Sequence, residues 1–244
     1  RPSRLAILLG CWLLASSLVS GQNGWLRLYP TQSSVNHLLP DGAQGCYAIG
    51  SAVVPGDGRL WSVLQHLSPD GDTLWSRLLA PRSRATGLVA GSDGHLRALI
   101  HGGGDPDQDS LWLFKYSNSG QPLTPAVFVG ALPRLITPPA NELHRVAPGW
   151  LAVASRWPGE QARVWWLTED GALRHTTDVP NVPVFYQAAG DGNGHLALAV
   201  RLEGASQSDA LLCLDTLGQN CWPALRFSAD LQSTHAELIH VEQG

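Results

Sequence analysis

Three carboxylates alternate along Asp105-Pro106-Asp107-Gln108-Asp109, directly after a run of three glycines. Alternating oxygen donors in a loop are what a hard cation such as Ca²⁺ takes, so Asp105, Asp107 and Asp109 are candidate calcium ligands. An EF-hand is excluded, because Ser110 stands at the sixth position, where Gly is needed, and Tyr116 at the twelfth, where Glu is needed. The competing reading is a solvated connection between two strands.

Histidines are the next groups with chemistry to offer. His37 and His144 each stand five residues before a glycine, Gly42 and Gly149, and both are expected to face the same central channel. There they act as a metal pair or as ordinary channel lining. His95 and His195 each follow a turn glycine directly, a repeated structural preference. Asp191-Gly192-Asn193-Gly194 has the Asx and Gly content of a tight turn.

The four cysteines are Cys11, Cys46, Cys213 and Cys221. None has CxxC spacing, which argues against zinc. Cys213 and Cys221 flank Asp215-Thr216-Leu217-Gly218, and two strands joined there place them opposite each other, a candidate disulfide. No GxSxG, P-loop, HExxH or dinucleotide fingerprint occurs, and the loops bring together no acid, base and nucleophile. No catalytic residue and no further cofactor is assigned.

The elements that must carry these residues form a repeat. The strand-like runs Val63–Leu67, Leu111–Tyr116, Val164–Leu167 and Ala210–Leu214 are each followed by a polar turn containing Gly71, Gly120, Gly171 or Gly218. Those glycines are 49, 51 and 47 residues apart. A preceding apolar strand recurs too, at Gly94–Ile100, Gly149–Ala154 and Gly194–Val200, with Gly42–Ile49 as a looser first copy. Strands at period 2, or as unbroken apolar runs, are those buried on one or both faces. No capped stripe of period 3.6 is present. Four strands per unit of about 50 residues is the arithmetic of a propeller blade.

The expected fold is therefore an all-β β-propeller of four-stranded antiparallel blades at 35–80, 84–130, 141–179 and 184–229. A loop from Leu132 to Pro139 separates the second and third blades. Residues 25–30 resemble the outer strand Trp75–Pro81, and 233–244 line up with the inner strand Ala85–Gly94. The chain thus reads as one outer strand, four blades and the start of a further blade. This predicts an incomplete ring, as in a C-terminal truncation of a longer propeller.

Residues 1–24 differ from the rest. Arg1 and Arg4 precede an apolar run from Leu5 to Val19, which gives way to Ser20-Gly21-Gln22-Asn23-Gly24. That is the pattern of a secretory signal, and the run is shorter than the roughly 20 residues of a membrane span. Export is expected, to the periplasm or beyond the cell, with membrane attachment only through an uncleaved signal. A net charge of −4, from 16 basic and 20 acidic residues, removes the main electrostatic term for nucleic-acid binding.

At Asp109-Ser110-Leu111-Trp112-Leu113-Phe114-Lys115 with Gly120 the chain resembles bacterial exported propeller-repeat proteins, over roughly residues 25–244. Asp215, Gly218 and Trp222, and in part Gly71 and Trp75, resemble quinoprotein-like propellers, where that Trp docks between neighbouring blades. Thr124 and His175 replace it in the other two units. Ser68–Trp75 approaches the Asp-box of sialidase-type propellers but has Asp72 and Leu74 where that pattern needs Gly and Thr or Ser. With no catalytic motif present, the expected function is a non-catalytic binding or scaffold module for a protein, glycan or small ligand. The alternative is part of a quinoprotein-like or glycan-processing enzyme.

Overall fold

The computed structural model describes residues 33–54, 56–102, 108–133, 141–203 and 208–227. The expectations for 1–24, 25–30 and 233–244 lie outside these residues. Sixteen strands form four separate antiparallel sheets of four strands each, and each sheet is a meander in chain order. The first holds β1 (Ser33–Pro40), β2 (Cys46–Val53), β3 (Leu60–Leu67) and β4 (Thr73–Pro81). The second holds β5 (Ser83–Ala90), β6 (Leu96–Gly102), β7 (Gln108–Tyr116) and β8 (Val127–Pro133). The third holds β9 (Asn141–Ala147), β10 (Trp150–Trp157), β11 (Gln161–Thr168) and β12 (Leu173–Val179). The fourth holds β13 (Val184–Gly190), β14 (His195–Leu202), β15 (Ser208–Asp215) and β16 (Leu225–Arg226).

The sheets are blades of a β-propeller. Their first strands are innermost and pack in sequence, β1 on β5, β5 on β9 and β9 on β13. No strand pairing among the described residues closes the ring. Leu132 belongs to β8 rather than to the following loop, because it pairs with Asp109 and is buried in the core between blades two and three.

Each core layer lies between two blades. In β10, Leu151 and Val153 face blade two, whereas Ala152 and Ala154 face blade four. In β11, Trp165 and Leu167 take the first side, and Val164 and Trp166 the second. Successive residues of a strand point to opposite faces, so a blade enclosed on both sides must be apolar at every position. This is why Val164–Leu167 reads as an unbroken apolar run. The layer between blades one and two is built on Ile49, Leu64, Leu88 and Leu96.

One hairpin device recurs in every blade, between the third and fourth strands. Its first residue is Ser68, Ser117, Thr168 or Asp215, and the glycine three positions on donates its N–H to that residue's carbonyl at 2.8–2.9 Å. The side-chain oxygen of the first residue accepts the N–H of the fifth (Asp72, Gln121, Ala172 or Gln219) at 2.8–3.1 Å. The glycines sit at φ of +77° to +88°, left-handed backbone that favours Gly.

Candidate functional site

The innermost strands carry a second repeated irregularity. Pairing of β1, β5 and β13 to their neighbours skips one residue, between Val35 and His37, Ala85 and Gly87, and Phe185 and Gln187. The skipped residues are Asn36, Thr86 and Tyr186. A β-bulge turns side chains away from the regular alternation and is a common way to aim them at a site. Asn36 and Thr86 line a cavity of about 310 Å³ at the channel, together with His37, Asn141, Glu142, His144 and Gln187. All four innermost strands contribute, and every lining side chain is polar.

Part of this lining ties the blades together. Asn36 Nδ2 donates to the Ala85 carbonyl at 2.6 Å, linking β1 to β5. The Ala188 N–H donates to Glu142 Oε2 at 2.5 Å, linking β13 to β9. Glu142 Oε2 also lies 3.2 Å from His144 Nε2, so one carboxylate both joins two blades and orients an imidazole. Other groups are less committed. Thr86 Oγ1 reaches the Leu99 carbonyl only at 3.5 Å. Asn141 is 3 % exposed. The Ser155 hydroxyl occupies its Oδ1, while its Nδ2 has no hydrogen-bond partner among the described residues. A buried amide donor left unsatisfied is costly, and a ligand oxygen would satisfy it.

His37 and His144, expected at the channel from their spacing, both line the cavity. Among the described residues no three His, Cys, Asp or Glu side chains cluster closely enough to hold a metal. Of the calcium candidates, Asp105 and Asp107 lie outside the described residues. Asp109 sits on β7, its Oδ2 3.2 Å from His101 Nε2. Burial of that imidazole holds His101 below its ordinary value, with Asp109 pulling the other way.

The remaining candidates are structural. His195 Nδ1 meets Asp191 Oδ2 at 2.7 Å, and Asp191 Oδ1 accepts the N–H groups of Asn193 and His195, which fixes the turn. Cys213 is buried and Cys221 exposed, and both thiols are free. The Cys221 N–H donates to the Cys213 carbonyl at 2.9 Å, so the two residues face each other across the hairpin. Burial first, then the hydrogen bond to the Cys221 thiol, pushes the Cys213 thiol up to about 12.

The bulge residues Asn36 and Thr86 and the amide of Asn141 are not singled out by residue type or spacing. The one sequence signal is positional, since Asn36 and Thr86 precede His37 and Gly87 at equivalent places in two blades.

No protein-family model matches the chain, and no curated protein matches it. Among solved structures it is similar to a protein of unknown function from Bacteroides caccae, at 12 % identity over 85 % of this chain and 87 % of that one, with a TM-score of 0.39. It is also similar to the WD40 domain of Neurospora crassa Pan2, at 12 % identity and a TM-score of 0.47 over 79 % of this chain. The match spans about half of that domain (52 %).

Proposed function

We propose that this propeller is a non-catalytic binding module whose channel takes a small, neutral, hydroxylated ligand such as a saccharide unit. The observation that carries the reading is the all-polar cavity to which every innermost strand contributes a side chain. Its groups are amides, a hydroxyl, two imidazoles and one carboxylate, a mixture of donors and acceptors with no Lys or Arg in the lining. An anionic ligand would meet Glu142 without a compensating cation, whereas a polyol matches alternating donors and acceptors. The volume falls at the small end of ligand pockets. Export, from the basic and apolar pattern of residues 1–24, belongs to the same reading.

Calorimetric titration with glucose, galactose, N-acetylglucosamine and cellobiose tests it. At least one sugar is expected to bind, and Thr86→Val, which removes a loosely held hydroxyl, should weaken that binding by about 1 kcal/mol, several-fold in Kd. Binding of none, or equal binding by the variant, contradicts the reading. Conversion of the sugar during the titration would instead point to a glycan-processing enzyme.

A further inference from the structure

Blade four differs from blades one and three at one place on its third strand. Five residues before the hairpin glycine, blade one has His66, whose ring lies 5.8 Å from that of Trp75 on the fourth strand. At the same position blade three has Trp166, stacked on His175 at 5.8 Å. Blade four has Cys213, and the residue facing it across the hairpin is Cys221. The neighbouring pair Leu214 and Asn220 forms a β-bridge, which sets the two cysteines in antiparallel register. Residues directly opposite in such a ladder have Cα atoms about 4.5–5.5 Å apart, within the range of a disulfide. Ala210, Leu212 and Leu214 face blade three, so strand alternation puts Cys213 on the opposite face of the sheet.

We propose that Cys213 and Cys221 are a modification site that closes into a cross-strand disulfide on meeting a small-molecule disulfide oxidant such as oxidised glutathione. The inference is independent of the ligand reading of the channel. The exposed Cys221 sulfur, as thiolate, attacks one sulfur of the oxidant, forming a mixed disulfide and releasing one glutathione thiolate. Cys213 Sγ then attacks Cys221 Sγ, loses its proton and expels the second glutathione. Two protein thiols become one disulfide, and one oxidised glutathione becomes two reduced ones. The order follows from access, because Cys213 is 1 % exposed and Cys221 is open to solvent. The bond does covalently what the ring pairs His66–Trp75 and Trp166–His175 do in blades one and three. It does so where, among the described residues, the fourth strand is shortest, β16 pairing Leu225 with Leu211 and Arg226 with Ala210.

The test incubates the purified full chain with oxidised glutathione, then blocks free thiols and maps peptides by mass. A peptide linking Cys213 to Cys221 is expected, with Cys46 still alkylated and a higher Tm for the oxidised than for the reduced protein. Cys221→Ser should abolish both the link and the Tm rise, while Cys46→Ser should leave both intact. Two free or separately glutathionylated thiols at 213 and 221, or a link from either to Cys46, would overturn the proposal.

Discussion

Glu169 ties blades two and three together. It is 8 % exposed. Its two carboxylate oxygens accept the Ser92 N–H at 3.0 and 2.9 Å, the Ser92 hydroxyl at 2.7 Å and the Gly149 N–H at 3.2 Å. The Glu169 carbonyl accepts from Arg97 Nε at 2.7 Å, and Arg97 clamps both oxygens of Asp93. Glu169→Gln turns one acceptor towards donors and should cost about 1–3 kcal/mol in urea unfolding. The Arg97 guanidinium holds the Asp93 carboxyl well below its usual range, helped by the His95 N–H and by Lys115. A carboxylate whose folded pKa is depressed stabilises the protein above its unfolded value of 3.8. That stability is lost as the pH falls from there towards the folded value. Asp93→Asn should therefore flatten the acid side of a stability–pH curve below about pH 4 and leave its slope near neutrality unchanged. His101 acts in a different window. Its burial favours the neutral ring, so stability should fall as the pH drops below 6.5. His101→Gln should remove that slope in thermal melts.

At the scale of the element, the hairpin glycines separate two physical demands. Gly94 and Gly120 both have φ near +75°, but a Cβ at Gly94 meets open space, whereas one at Gly120 would lie 2.9 Å from the Trp75 ring. Gly94→Ala should cost about 1 kcal/mol of backbone strain alone. Gly120→Ala should cost a further 1–3 kcal/mol for the clash, recovered in part by Trp75→Ala in a double-mutant cycle. The four glycines were legible in the sequence because left-handed backbone selects Gly wherever it recurs. The Trp75 ring packs beside the next blade's Gly120, which leaves no room there for a Cβ. The partner oxygens of Ser68, Ser117, Thr168 and Asp215 were not legible, since three residue types do one job. The bulges at Asn36 and Thr86 were hidden for a related reason. A bulge adds one residue without changing composition, and it shows only when the pairing of two strands is known.

At the scale of the whole molecule, the blades are unequal because their neighbours are. Blade three is apolar on both faces, whereas blade four leaves Trp222, four residues after its hairpin glycine as Trp75 is in blade one, 43 % exposed. Leu217, Leu225 and Phe227 beside it in sequence are also exposed. On blade one, Val35 and Leu78 are exposed in the same way and border an apolar groove on the sheet. Such surfaces are what an enclosed blade covers with its neighbour, and among the described residues no further blade covers them. The cavity at the innermost strands, by contrast, is lined by polar side chains, and ligand binding is proposed there. The most direct test is a titration of the protein with the sugar panel, monitored by the imidazole ¹H–¹⁵N resonances of its histidines. Shifts are expected at His37 and His144, with His66, His95 and His195 unmoved. Saturable binding that leaves His37 and His144 unshifted would contradict ligand binding in the channel.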